Sequence, residues 1–183
     1  MAEEREGASL PRERRGPRRI DEAYLRRAAL HYLERYSAPE AQLRRVLLRK
    51  VERSCRHHGL EPSAFSTMVD EVVTSCLASG LVDDRRFAEA RAQSLRRKGR
   101  SARAVAAGLA AKGVERALAA EMATVNDEAE LAAAQIAARR KRLGPWSRGD
   151  RSEQRQKHIA ALARAGFSLA VARAVIDGPG EGA

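Results

Sequence analysis

The sequence predicts an all-α protein made of three tandem three-helix repeat units that form an elongated, curved array. Three observations carry this expectation. Amphipathic segments with apolar residues at i, i+3, i+4 spacing follow one another, and most end in a glycine followed by an apolar residue. Glycine and proline number only 13 and 6 among 183 residues, and β-branched residues are few, which disfavours an all-β fold. One phrase recurs: Leu109 to Lys112-Gly113-Val114, then Leu162 to Ala165-Gly166-Phe167, each behind an amphipathic helix and ahead of a short one. A repeat of about 45–55 residues places the units at 20–80, 81–125 and 126–177. Chains near this size bury too little surface to stand alone, so neighbours should stack and share stability.

Residues 1–19 hold Pro11, Gly16, Pro17 and six arginines with almost no apolar side chain, which predicts a disordered basic tail. The first helix is expected from Asp21 to Tyr36. Ser37-Ala38-Pro39-Glu40 reads as a capping box, with Ser37 at the N-cap and Glu40 three residues on. Behind it Leu43, Val46, Leu47 and Val51 make an apolar stripe, stopped by Gly59-Leu60. Phe65, Met68, Val69, Val72, Val73, Cys76 and Leu77 make the clearest stripe of the chain, stopped by Gly80-Leu81.

Asp83 should cap a helix running to Lys98, with Phe87, Ala90 and Leu95 inward and Gly99 as the break. Ser101 should cap the next, with Ala102, Val105, Ala106 and Leu109 inward. A short helix follows from Glu115 to Thr124, then an Ala-rich one from Asp127 to Leu143, ended by Gly144-Pro145. Ser152 is the expected cap of Glu153–Ala165, and Ser168 that of a last helix through Ile176. Residues 178–183 form a second tail.

The chain carries 35 Lys and Arg against 24 Asp and Glu, a net charge of +11. Residues 20–80 are nearly balanced, with nine basic and eight acidic side chains. Residues 81–125 have ten and five, and residues 126–177 have ten and six. Two stretches lack any acid. One holds Arg91, Arg96, Arg97, Lys98, Arg100, Arg103 and Lys112; the other holds Arg139, Arg140, Lys141, Arg142 and Arg148. Such unaccompanied cations suit an anionic partner.

Other function classes find little support. No apolar run reaches the 18 residues of a membrane span, and the N-terminus has no apolar signal region. Cys55 and Cys76 make no disulfide framework, which points to a reduced, cytoplasmic protein. Cys55, His57 and His58 lack zinc-ligand spacing, and Asp83-Asp84 reads as a helix start rather than a carboxylate pair. No phosphate-binding glycine loop and no nucleophile–base set occurs, so neither cofactor nor enzymatic activity is expected. Of the seven aromatic residues Phe65 and Phe87 fall on core stripes and Phe167 follows a glycine stop, which leaves no series of exposed rings for stacking bases. Contact with nucleic acid would therefore go to phosphate, sensitive to salt and blind to sequence.

Leu81-Val82-Asp83-Asp84-Arg85-Arg86-Phe87-Ala88-Glu89, then Arg97-Lys98-Gly99 and Lys112-Gly113-Val114, resembles the central signature of the RecX regulatory family. Leu33, Arg35 and Ser37 leading into Gln42-Leu43 and Val51 are similar to its opening block, and Gln156-Lys157 through Arg164-Ala165-Gly166-Phe167-Ser168 to its last repeat. The likeness covers residues 21–177. The chain departs from the pattern at Ser101, Ala104-Val105, Gly108-Leu109 and Ala165. The resemblance implies three tandem three-helix units. It also implies a modulator, most often an inhibitor, of the RecA recombinase, acting as a monomer in the groove of the RecA filament on single-stranded DNA. The candidate contacts to RecA or DNA are Arg91, Arg96, Arg97, Lys98, Arg100, Arg103, Lys112, Arg139, Arg140, Lys141, Arg142, Lys157 and Arg164. The competing reading is an autonomous, sequence-nonspecific nucleic-acid-binding helical module.

Overall fold

The computed structural model describes residues 16–179. These fold into nine α-helices and two 3₁₀ turns, with no strand among the described residues. The helices are α1 (Glu22–Leu33), α2 (Glu40–His58), α3 (Ser66–Ala78), α4 (Asp84–Arg96), α5 (Ala102–Ala110), α6 (Arg116–Ala123), α7 (Asp127–Lys141), α8 (Arg151–Arg164) and α9 (Leu169–Asp177). The 3₁₀ turns are Pro62–Phe65 and Gly144–Trp146.

Apolar side chains sort the helices into trios. Leu25 and Ala29 of α1, Leu43, Leu47, Val51 and Cys55 of α2, and Val69, Val72, Val73 and Cys76 of α3 form one cluster. Ala88 and Ala92 of α4, Val105 and Leu109 of α5, Val114, and Ala119 and Ala123 of α6 form the second. The third joins four alanines of α7 to Ile159 and Leu162 of α8, Phe167, and Ala172, Val175 and Ile176 of α9. Full burial of a Leu or Val contributes roughly 1.5–3 kcal/mol, and an alanine methyl far less. Four of the seven buried members of the middle cluster are alanines. The middle trio therefore has the smallest apolar core of the three.

The local reading of helix ends holds where the cap is local. Asp83 accepts from Arg86 N–H at 2.9 Å, Ser101 from Ala104 N–H at 3.2 Å, and Ser168 from Val171 N–H at 3.2 Å. Asp21, expected as the first residue of its helix, is instead the N-cap, accepting from Tyr24 N–H at 2.6 Å. The local reading fails at α2. Pro39, not Ser37, is the N-cap there, and no side chain of its own segment caps it. At α8 the cap is Asp150, which accepts from the N–H of Ser152 and Glu153, so Ser152 sits inside the helix.

Leu60 and Leu81 do not fold back: both side chains are exposed. Leu60 N–H still closes α2 on Cys55 O, while after Gly80 it is Val82 that turns inward, its N–H on Cys76 O. In α4 the inward alanines are Ala88 and Ala92, and Ala90 is exposed. Residues 16–19, assigned to the tail by composition, lie along α2, where Ser54 Oγ donates to Arg18 O at 2.7 Å and His58 Nε2 pairs with Pro17 O at 2.9 Å. The rest of the expected tail, residues 1–15, lies outside the described residues, as do residues 180–183.

Successive trios are joined by a repeated pair of contacts. The first is a carboxylate in the opening turn of one trio that caps the second helix of the trio before. Asp84 Oδ1 accepts from Glu40 N–H at 2.7 Å, at the start of α2. The Glu130 carboxylate accepts from Ala102 N–H at 3.0 and 3.2 Å, at the start of α5. The second contact uses the carbonyl just ahead of the recurring glycine. Lys112 O accepts from Arg45 Nη2 at 2.8 Å, and Ala165 O accepts from Ser101 Oγ at 2.8 Å. Both glycines have left-handed backbone, φ +99° at Gly113 and +96° at Gly166, and both abut the earlier trio's second helix. A Cβ on Gly113 would lie 2.8 Å from Ala41 Cβ, and one on Gly166 would lie 2.5 Å from Ser101 Oγ. The recurring phrase is thus the part of the repeat that docks.

Candidate anion-binding interface

The junction between the second and third trios gathers cations from both acid-free stretches. The chain leaves α4 through Arg97, Lys98 and Gly99, and Gly99 lies against α7. A Cβ there would stand 2.7 Å from Ala137 N and 3.0 Å from Ala133 O. This approach brings Lys98 and Arg100 opposite Arg140 and Lys141 at the end of α7. Together with Gly99, Ala137 and Ala165 they line a cleft of ≈ 280 Å³. No carboxylate lines it. Arg140 spans the junction, its Nη1 donating to Lys98 O at 2.8 Å. A second cleft of ≈ 410 Å³ lies between α5 and the end of α8, where Arg103 and Arg164 are the charged residues. Ala165 borders both clefts.

Helix polarity helps to explain how like charges tolerate one another here. Both α4 and α7 end at the first cleft, and a helix C-terminus carries a partial negative charge. Each such end stabilises a nearby cation by about 0.3–1 kcal/mol. Two half-charges do not neutralise four full ones, so the cleft keeps a net positive field.

The remaining candidates are dispersed. Arg96 is half-buried and belongs to the fold: its Nη2 donates to Met122 O at 2.7 Å and Thr124 O at 3.3 Å, closing the C-terminus of α6. Arg91 is half-buried too, and its Nε is buried without a hydrogen-bond partner among the described residues. Lys112 has an exposed side chain at the first junction, where only its carbonyl is engaged. Arg97, Arg139, Arg142 and Lys157 are exposed but line neither cleft. Composition missed the contributors to this geometry that carry no excess charge, namely Glu130, Ser101 and Gly99. The signal available for Glu130 was its counterpart Asp84, an acid in the opening turn of the preceding trio.

Other chemistry is sparse. Cys55 and Cys76 are buried free thiols, and burial pushes the Cys76 thiol above its ordinary range. Among the described residues no group of three or more His, Cys, Asp or Glu is placed to hold a metal ion, and no helix is long and apolar enough to cross a membrane.

Comparison with known proteins decides the family. The chain is 44% identical to a regulatory protein RecX of Myxococcus xanthus (strain DK1622), over 97% of this chain and 98% of that protein. It belongs to the RecX family. A regulatory protein RecX of Agrobacterium fabrum (strain C58 / ATCC 33970) is 32% identical over 84% of this chain and 82% of its own length. Residues 83–122 match the family model described as the RecX second three-helix domain. That span runs from the N-cap of α4 almost to the end of α6, the RecX middle trio. No solved structure matches the chain.

Proposed function

We propose that this RecX-family protein regulates the RecA recombinase by docking along the groove of the RecA filament on single-stranded DNA, where it suppresses ATP hydrolysis, strand exchange or filament growth. It acts as a cytoplasmic monomer, without catalytic activity or cofactor of its own. One observation supports this above the others: cations from two trios converge on one junction whose clefts contain no carboxylate. Such a face attracts DNA phosphate or the acidic groups of a protein surface. A row of docked trios touching adjacent RecA subunits opposes the relative motions that accompany ATP turnover.

The test is a titration of this protein into RecA and single-stranded DNA, reading ATP hydrolysis. Hydrolysis should fall towards a plateau near one regulator per binding site. Hydrolysis that stays unchanged at stoichiometric ratio in moderate salt rejects the proposal. A variant for the face itself should combine Lys98→Gln, Arg100→Gln and Lys141→Gln. Arg96 is left in place because it closes α6. The competing reading, an autonomous nucleic-acid binder, requires tight, steeply salt-dependent binding to naked DNA and no preference for the RecA-coated strand.

A further inference from the structure

We propose that the cleft between the second and third trios holds a single phosphate group, and that the bound group staples the third trio to the second. The inference deepens the function proposed above and rests on its reading of this face as the one that meets an anion.

The chemistry of the lining selects the ligand. Lys98 and Arg100 come from the loop after α4, and Arg140 and Lys141 from the end of α7. The side chains of Lys98, Arg100 and Lys141 are exposed and hold no hydrogen bond or ion pair among the described residues. Arg140 commits one nitrogen to Lys98 O and keeps its other donors. The rest of the lining is Gly99, Ala137 and Ala165, so no ring is present on which a base could stack. At ≈ 280 Å³ the cleft lies just below the roughly 300–1,000 Å³ of drug-sized pockets. A small tetrahedral anion with several acceptor oxygens matches this set, and the guanidinium forks suit phosphate in particular.

The position of the cleft supplies the second half of the proposal. Each apolar cluster stays within its own trio, so the junction is held by polar contacts and by Gly99 against α7. Two cations stand on either side of it. Empty, the cleft sets like charges against one another across the junction. Filled, it turns the same charges into a bridge. An anion that binds the closed junction better than an opened one must shift the protein towards the closed form. The phosphate can come from a nucleic-acid backbone or from free inorganic phosphate, which share this chemistry.

The experiment uses the full chain without RecA. Amide hydrogen exchange is followed at Ala102, whose N–H reports the junction through Glu130, with inorganic phosphate compared against chloride at equal ionic strength. Phosphate should slow exchange at Ala102 in the wild type and not in the Lys98→Gln/Lys141→Gln double variant, both of whose sites are exposed. Equal slowing in wild type and variant, or none in either, overturns the proposal. Single-stranded oligonucleotide is titrated in parallel across salt. If the backbone is the source, the double variant should lower the log–log salt slope by about 0.7 for each phosphate it no longer neutralises. An unchanged slope with the exchange effect intact supports the site and assigns it to free phosphate. Because RecA is absent, unchanged RecA hydrolysis beside positive exchange data rejects the proposed function and leaves the site standing.

Discussion

The two junctions between trios use the same hydrogen bonds and differ in charge. At the first, Asp84 caps α2 and Arg45 reaches Lys112 O. Glu40 and Asp70 stand close by, both paired with Arg44. At the second, Glu130 caps α5 and Ser101 reaches Ala165 O, while the adjoining clefts hold cations alone. The comparison separates assembly from function. A carboxylate on a helix N-terminus and a carbonyl beside a docked glycine are enough to stack one trio on the next, since both junctions have them. Apart from Arg140, whose guanidinium bonds Lys98 O across the junction, the charge around the second junction makes no stacking contact, and the facing cations oppose one another. A feature that opposes folding at one of two equivalent places points to a partner.

Where each junction is tightest can be tested by adding one methyl. Gly99→Ala should have the largest effect, about 2–3 kcal/mol, because it joins a left-handed backbone, φ +70°, to a clash with the backbone of α7. Gly59→Ala is the control. Gly59 has nearly the same backbone, φ +66°, but no atom lies within 4 Å of its would-be Cβ, so the conformational cost alone, about 1 kcal/mol, should appear. Urea unfolding of the two variants measures the difference. Equal losses would mean that Gly99 is needed only for its turn and that the second junction is looser than described.

The carboxylate caps should come next. Asp84→Ala and Glu130→Ala each remove a cap supplied from another trio, and each should cost about 1 kcal/mol, the usual scale for losing an N-cap acceptor. The sites serve different junctions and share no partner, so the double variant should lose the sum. Exchange at the amide of Glu40 should quicken only in the first variant and at that of Ala102 only in the second. Faster exchange at both amides in either single variant would show that the junctions open together rather than one at a time.

Legibility followed sequence distance. Asp83, Ser101 and Ser168 were readable as caps because cap and capped amide lie three residues apart. Ser37 misled because the acceptor for α2 is Asp84, 44 residues beyond the Glu40 amide it caps, and no local pattern contains it. Long side chains made the stripe of α3 legible, while in α2 Leu43, Leu47 and Val51 are buried but Leu48, not Val46, packs against the core. In α4 Phe87 and Leu95 are the only large apolar residues, too few to fix the rotation, and the inward alanines were Ala88 and Ala92 rather than Ala90. At the candidate site, charge density picked out Lys98, Arg100, Arg140 and Lys141 without saying that they meet. Their meeting depends on Gly99 against Ala137, a contact between trios. Charge density also could not separate Arg96, spent on the carbonyls of α6, from its exposed neighbour Arg97.

The smallest effect, and the one that divides the junctions by sign, is on pH. Asp84 is partly buried at the first junction. Desolvation holds its carboxyl above the ordinary aspartate range, and the hydrogen bond from Glu40 N–H only partly counters this. Its folded value therefore exceeds its unfolded one. The folded state binds that proton more tightly, and stability from this group falls as pH rises through the raised value. Four carboxyls of the second and third trios behave oppositely. Glu115 is lowered by the N–H of Ala117, Glu121 by Arg85, Asp150 by Ser152 and Asp177 by Arg155. Their contribution is present above the ordinary carboxylate range and is lost as pH falls through their depressed values. Acidification should therefore destabilise the protein through the second and third trios while Asp84 partly offsets the loss. Asp84→Asn keeps an oxygen for Glu40 N–H and removes the titration. Compared with the wild type, it should be most favoured near neutral pH, and the gap should narrow as pH falls through the raised Asp84 value. Thermal midpoints of both proteins across pH 3–7, a range set by ordinary carboxylate pKa values of about 4, measure that gap. A gap that stays constant would mean that Asp84 meets solvent in solution and that the first junction is open there. A gap that widens on acidification would mean that the carboxylate gains more from the start of α2 than it loses by burial.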